Sequence, residues 1–212
     1  GSSVFKRLEQ GQISIEELGL NHYPRPGERF PKPIFDVSTK LEEKDRYITW
    51  KEAQGIASLT AEEVDDVREI LFKTSRTITQ IALKADLENE DGKIELAFDP
   101  ERKMMVVDVV GTLDECRFTY QGLHVSKEIV RQFYHKTGWF KEVENAKKKA
   151  EEMGIKDWQG LCRVQPSKLE PSLKTIIGDM YMAAANELTE HRFFDVSSLA
   201  EIIDRYKSEI AK

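Results

Sequence analysis

The stretch KIELAFDPERKMMVVDVVGTLDECRF, which begins at Lys93, constrains the fold of this chain more than any other. Lys93, Glu95 and Ala97 alternate with Ile94, Leu96 and Phe98, the period-two pattern of a strand with one apolar face, up to the turn residues Asp99-Pro100-Glu101-Arg102. Met104 to Val110 is nearly all apolar and reads as a second strand, interrupted only by Asp108. A hairpin loop of Pro100 to Lys103 pairs Asp99 with Met104 and brings Glu95 opposite Asp108 on one face. Two facing carboxylates repel unless a cation lies between their oxygens, and a hard divalent ion such as Mg2+ carrying nucleotide phosphates suits them. Lys93 points to the same face as a point charge for phosphate oxygens. A solvent-facing strand with ordinary surface charges is the other reading of this spacing.

At 212 residues the chain can bury a full core, as one large domain or two closely packed lobes. With 32 basic against 38 acidic residues and a net charge of -6, it carries no general nucleic-acid footprint, so an anionic ligand must be held by a local cluster. Cys116 and Cys162 form no metal-ligand or CxxC spacing, which fits a reducing compartment. No apolar run approaches the roughly 18 residues of a membrane span, and no signal-peptide core is evident. A cytoplasmic protein without a membrane partner is expected, and a homo-oligomer is compatible with the sequence.

Lys93-x-Glu95, an Asp fifteen residues after that Lys, and an Asp114-x-x-Arg117 whose Arg lies nine past Asp108 form a spaced series. It resembles the ATP and metal segment of the SAICAR synthetases, ligases of the purine pathway. The family pattern there runs approximately KFEFGLD, a turn, a hydrophobic strand ending in DE, and TPDSSRF. Lys93, Glu95, Asp108, Thr112, Asp114, Arg117 and Phe118 fall in step, and Val109 replaces the family's Glu. Gly1, Ser2, Lys6, Arg7 and Leu8 resemble a GS-x-x-KRL segment, with one residue more between Ser2 and Lys6, in which the Ser helps hold the nucleotide substrate's phosphate. From Pro33, PIFDVSTKLEEKD is similar to the family's PIFTPSTKAEEGD, bringing Lys40 into register. The His-Asp that follows in the family, whose Asp contacts the imidazole substrate, is Arg46-Tyr47 here. This alignment implies a chain that begins inside the family's sequence, without an N-terminal lobe of roughly ninety residues by the family's usual length.

Around these blocks the periodicity predicts helices. Thr49 to Ala57 reads as a short one, and Thr60-Ala61-Glu62-Glu63 as the capping box of a long one with Val64, Val67, Ile70, Leu71, Thr74, Ile78, Ile81 and Ala82 on its buried stripe. That helix is expected to pack on the hairpin and support the strand carrying Asp108. Residues 11–32 read as loop. In HVSKEIVRQFYHKTGW, similar to the family's LSK-x-x-V-R stretch, Ser126 would cap a helix placing Lys127 and Arg131 one turn apart, a spacing that grips one phosphate or carboxylate, or else simply faces water. His124 is left outside the site. Lys141 to Met153 is a polar surface helix ended by Gly154, Pro166 to Leu188 resembles the family's C-terminal helix, and Ser197 or Ser198 opens a last one. Trp158, Phe193 and Phe194 fit either core or interface.

The expected fold class is α+β, an antiparallel sheet packed against long helices. Two parts are expected: residues 1–125, an ATP, metal and substrate lobe, and residues 126–212, mostly helical. The resemblance implies an ATP-dependent ligase of purine biosynthesis that joins CAIR, a carboxylated imidazole ribonucleotide, and L-aspartate into SAICAR, with ADP and phosphate released. It implies ATP and Mg2+, with Mg2+ on Glu95 and Asp108. Lys93 and Lys40 would act catalytically on phosphate charge, Lys93 also contacting the nucleotide. Ser2, Arg117, Lys127 and Arg131 would bind the ribonucleotide. The departures at Arg46-Tyr47 and Val109 leave open a paralogous ligase with another substrate, and the implied missing lobe leaves open a non-catalytic binding fragment.

Overall fold

The computed structural model describes residues 4–25, 27–42, 46–125 and 127–210. The chain divides into two compact units, Gly1–Thr74 and Ser75–Lys212, with the division inside a long helix. The expected boundary after residue 125 therefore falls within the second unit, whose sheet and C-terminal helices share one core.

In the first unit, α1 (Val4–Glu9) is the first helix, and a short antiparallel pair joins β1 (Val37–Ser38) to β2 (Tyr47–Ile48). Arg7 is buried, ion-paired with Asp36, and its guanidinium lies 3.9 Å from the centre of the Tyr47 ring. Thr49 caps α2 (Trp50–Ile56) by accepting from the Glu52 amide. The capping box at Thr60 forms as expected: the Thr60 amide donates to Glu63 Oε2 at 2.7 Å and the Glu63 amide to Thr60 Oγ1 at 3.1 Å. It opens α3 (Ala61–Lys84), whose Val64 and Val67 are buried.

The second unit is built on a three-stranded antiparallel sheet in the order β3 (Glu88–Gly92), β6 (Cys116–Tyr120), β7 (Leu123–His124). Ile78 and Ala82 of α3, Leu87, and Cys116 and Phe118 of β6 join α6 (Pro171–Thr189) and α7 (Leu199–Glu209) in one apolar cluster. Asn89 Nδ2 donates to Thr79 Oγ1 at 3.2 Å, tying β3 to α3. Gly92 stands opposite Cys116, where an added Cβ would come 2.8 Å from the Cys116 sulfur, so this position admits no side chain without displacement. β4 (Glu95–Phe98) and β5 (Met104–Val107) make a separate two-stranded sheet outside that cluster. The long helix thus packs on β3, β6 and β7, not on the hairpin. The apolar run after Met104 is consequently open, with Met105, Val106, Val109 and Val110 all exposed.

Of the later helices, α4 (Glu128–His135) and α5 (Gly138–Glu152) are consecutive. α5 ends as expected: Gly154 takes φ +64, the Ile155 amide donates to the Ala150 carbonyl at 2.8 Å and the Gly154 amide to the Glu151 carbonyl at 3.1 Å. It is not wholly a surface helix, because Val143, Ala146 and Ala150 are buried along one side. Ser198, not Ser197, caps α7 through a reciprocal box with Glu201. Phe193 and Phe194 are exposed, so neither is core. Among the described residues no helix is long and apolar enough to cross a membrane.

Candidate functional site

The hairpin register differs from the expected one by a residue. Phe98 pairs with Met104 and Glu95 with Val107, so Glu95 and Asp108 are not cross-strand partners. The cause is the turn. The Arg102 amide donates to the Asp99 carbonyl and the Asp99 amide to the Lys103 carbonyl, both at 3.0 Å, while Asp99 Oδ1 accepts from the Lys103 amide at 2.7 Å. Arg102 takes φ +60, which closes a loop of Pro100 to Arg102, one residue shorter than expected. Continued regularly, that register would turn the Asp108 carboxylate toward the apolar face. Instead β5 ends at Val107, Asp108 adopts φ +67 and lies exposed. Its short polar side chain tolerates this left-handed backbone better than most.

At the open end of the hairpin, Lys93 Nζ lies 3.0 Å from Glu95 Oε1 and 3.4 Å from Glu115 Oε2. Both carboxylates are largely buried, at 15% and 17% side-chain exposure, while the ammonium between them is half exposed. Glu95 opens β4 and Asp108 follows β5, so two carboxylates flank the same end of the hairpin. No group of three or more His, Cys, Asp or Glu with metal-binding placement occurs among the described residues. One or two carboxylates, with phosphate oxygens and waters completing the shell, are how Mg2+ is commonly held, and Glu95 and Asp108 are the carboxylates the hairpin supplies at this end.

The basic residues form a second cluster. Arg117 stands opposite Asp91 across β3 and β6, with Nη1 at 2.5 Å from Asp91 Oδ2. Its Nε lies 3.7 Å from Glu128 Oε2, and the same oxygen accepts from Arg131 Nη1 at 3.3 Å. Two guanidinium groups fourteen positions apart thus meet on one carboxylate oxygen. Lys127 donates to the Asp114 carbonyl, and Tyr181 of α6 donates its hydroxyl to Asp114 Oδ1 at 2.8 Å. Burial, and then that hydrogen bond to an anion, raises the Tyr181 phenol well above its ordinary value. Residues 112–117 link the two clusters, because Glu115 turns to Lys93, Asp114 accepts from Tyr181 through its carboxylate and from Lys127 through its carbonyl, and Arg117 turns to Asp91 and Glu128.

In the first unit, Lys40 is exposed just past β1. Ser2 lies outside the described residues, as do Glu43, Asp45 and Ser126. Lys127 occupies the position before the first turn of α4 and makes no side-chain cap. Arg46 reaches Glu52 at 2.8 Å and Glu42 at 3.2 Å, and these bonds push its guanidinium above its ordinary value. The Arg46-Tyr47 departure is therefore engaged locally, Arg46 by two carboxylates and Tyr47 by Arg7. Sequence reasoning missed Asp91, Glu115, Glu128 and Tyr181. The first was hidden in a strand of polar residues, and the helix spacing Glu128 to Arg131 offered the only signal for the third. A cavity of about 470 Å3 lies elsewhere, lined by Asn186, His191, Arg192 and Ser198 among others, and contains none of the predicted site residues.

A family model for SAICAR synthetase matches residues 4–151. A protein of Archaeoglobus fulgidus, provisionally named phosphoribosylaminoimidazole-succinocarboxamide synthase, is 41% identical over 207 residues, 98% of this chain and 60% of that protein. The Thermoplasma volcanium protein of the same name is 33% identical over 198 residues, covering 90% of this chain and 64% of its own length. Among solved structures, the phosphoribosylaminoimidazole-succinocarboxamide synthase of Ehrlichia chaffeensis shares the fold, with a TM-score of 0.50 at 16% identity over 73% of this chain and 60% of that one. The chain spans less than two thirds of the length of these curated relatives. With the family model covering more than half of its residues, the chain belongs to the SAICAR synthetase family.

Proposed function

We propose that this chain serves the joining of CAIR and L-aspartate with ATP to give SAICAR, ADP and phosphate, a cytoplasmic step of purine biosynthesis. The observation that carries the reading is the meeting of Arg117 and Arg131 on one carboxylate oxygen, in a chain of this family. A carboxylate is a poor electrophile with a poor leaving group, and ATP supplies the phosphoryl group that remedies both. The protein's part is positioning and charge neutralisation. Arg117 and Arg131 offer planar forks to the ribonucleotide phosphate, with Lys127 and Ser2 as further donors. Lys93 neutralises phosphate oxygens as charge moves between them, and the family resemblance gives Lys40 the same kind of role. Glu95 and Asp108 would hold Mg2+, which when bound screens the negative charge of the phosphates.

The test is phosphate release measured with CAIR, L-aspartate and MgATP together and with each omitted in turn, alongside calorimetric titration with CAIR. Release that needs all three, with CAIR binding lost in Arg117→Gln, is the expected result. Absence of both CAIR binding and release, or release indifferent to CAIR, rejects the reading.

A further inference from the structure

We propose that the Glu128 carboxylate is an internal occupant of the anion site, seated between Arg117 and Arg131, and that it sets the site's affinity because an incoming phosphate must displace it. This rests on the reading of those two arginines as the ribonucleotide phosphate site. Glu128 Oε2 accepts from Arg131 at 3.3 Å and lies 3.7 Å from Arg117 Nε, which is where a phosphate oxygen bridging the two forks would sit. Its side chain is only 20% exposed, against 27% for Arg117 and 46% for Arg131. Asp91 is placed differently. It meets Arg117 alone, as the cross-strand partner of β3 and β6, and is half exposed.

Charge decides what a ligand must do. Two guanidinium groups already face two carboxylates, Asp91 and Glu128. Lys127 and the Asp114 carboxylate are engaged nearby, the first by the Asp114 carbonyl and the second by the Tyr181 hydroxyl. A phosphomonoester brings roughly two negative charges at neutral pH. Bound beside an unmoved Glu128 it would place like charges in contact; bound after Glu128 has turned away it inherits both forks. Glu128 stands in the first turn of α4, so rotation about its side-chain bonds releases the oxygen without moving the helix. Apparent affinity is then the intrinsic affinity scaled by the fraction of molecules in which Glu128 is out.

The experiment titrates ribose 5-phosphate into the full 212-residue chain by NMR, for the native protein, Glu128→Gln and Arg117→Gln. Removing the competing charge in Glu128→Gln is expected to tighten binding about fivefold to tenfold, the low end of a typical coupling between competing states. In the native protein the side-chain carboxyl resonance of Glu128 is expected to move as the site fills. Binding unchanged or weakened in Glu128→Gln, or a Glu128 resonance that stays fixed at saturation, overturns the proposal. Failure of the underlying reading looks different: Arg117→Gln would then bind as the native protein does, or no variant would bind at all.

Discussion

The hairpin end and the basic cluster carry comparable numbers of charged side chains, yet they are held by opposite means. Within the hairpin the register of Glu95 against Val107 and Asp108 is local, set by a turn three residues long, and a single left-handed residue there decides what faces what. Around Arg117 it is tertiary. A strand, a helix start and the distant α6 supply Arg117, Glu128 and Tyr181, and each is fixed by an element rooted in the apolar cluster. A site assembled from several anchored elements tolerates a local error in any one of them; a site read off one ladder does not.

Asp108→Asn gives the largest separation between the two regions. Asn accepts the left-handed backbone, so stability should change by less than about 0.5 kcal/mol. Turnover at limiting Mg2+ should fall by more than the roughly tenfold to hundredfold that follows loss of an outer-shell partner. Turnover equal to the native protein's would show that Asp108 is not a metal ligand. Arg117→Lys comes next. It keeps the charge but not the fork, and ribonucleotide affinity measured by calorimetry should drop about tenfold. An affinity unaltered by this exchange would mean that charge alone matters there.

A smaller effect concerns Cys116, whose thiol burial pushes up to about 11. The unfolded chain's thiol ionises near its ordinary value of roughly 8.5, so the folded state binds the extra proton between these limits. Stability is unaffected below pH of roughly 8.5 and declines as pH rises toward the folded value. Denaturant midpoints across that window should show a shallower decline in Cys116→Ala than in the native chain, and equal slopes would contradict the burial argument. The smallest effect is at Arg102. Arg102→Gly relieves a left-handed backbone but loses the guanidinium that lies 4.7 Å from the Phe98 ring, so the net change should stay within about 1 kcal/mol. Cross-strand NOEs should still pair Phe98 with Met104; a shift to the Asp99 and Met104 pairing would show that Arg102 alone sets the register.

The helices were legible because their signals are local: the Thr60 box, the short helix after Thr49 and the buried Val64, Val67, Ile78 and Ala82 of the long stripe appear where the pattern put them, although Ile81 of that stripe is exposed. The convergence of Arg117 and Arg131 was legible from the family resemblance, and the residue between them was not. β3 escaped notice because Glu-Asn-Glu-Asp-Gly is a poor strand sequence; pairing with β6 overrides its propensity. The register escaped because arginine gives no hint of a left-handed conformation, which glycine at that position would have signalled. The exposed hairpin was misplaced for a related reason. Apolarity alone does not say whether a strand faces a core, and Met105 and Val106 do not.

The close approach of Gly92 to Cys116 makes the two cysteines unequal reagents. With its thiol held near 11 and 2% of its surface accessible, Cys116 presents almost no thiolate at neutral pH, and the β3 backbone passes over its sulfur. Cys162 is partly exposed, its sulfur near the Val164 carbonyl at 3.4 Å. A maleimide fluorophore added to the native chain will therefore attach at Cys162 alone, giving a single-site optical tag without any engineered cysteine, while Cys116 becomes modifiable only when the sheet itself opens.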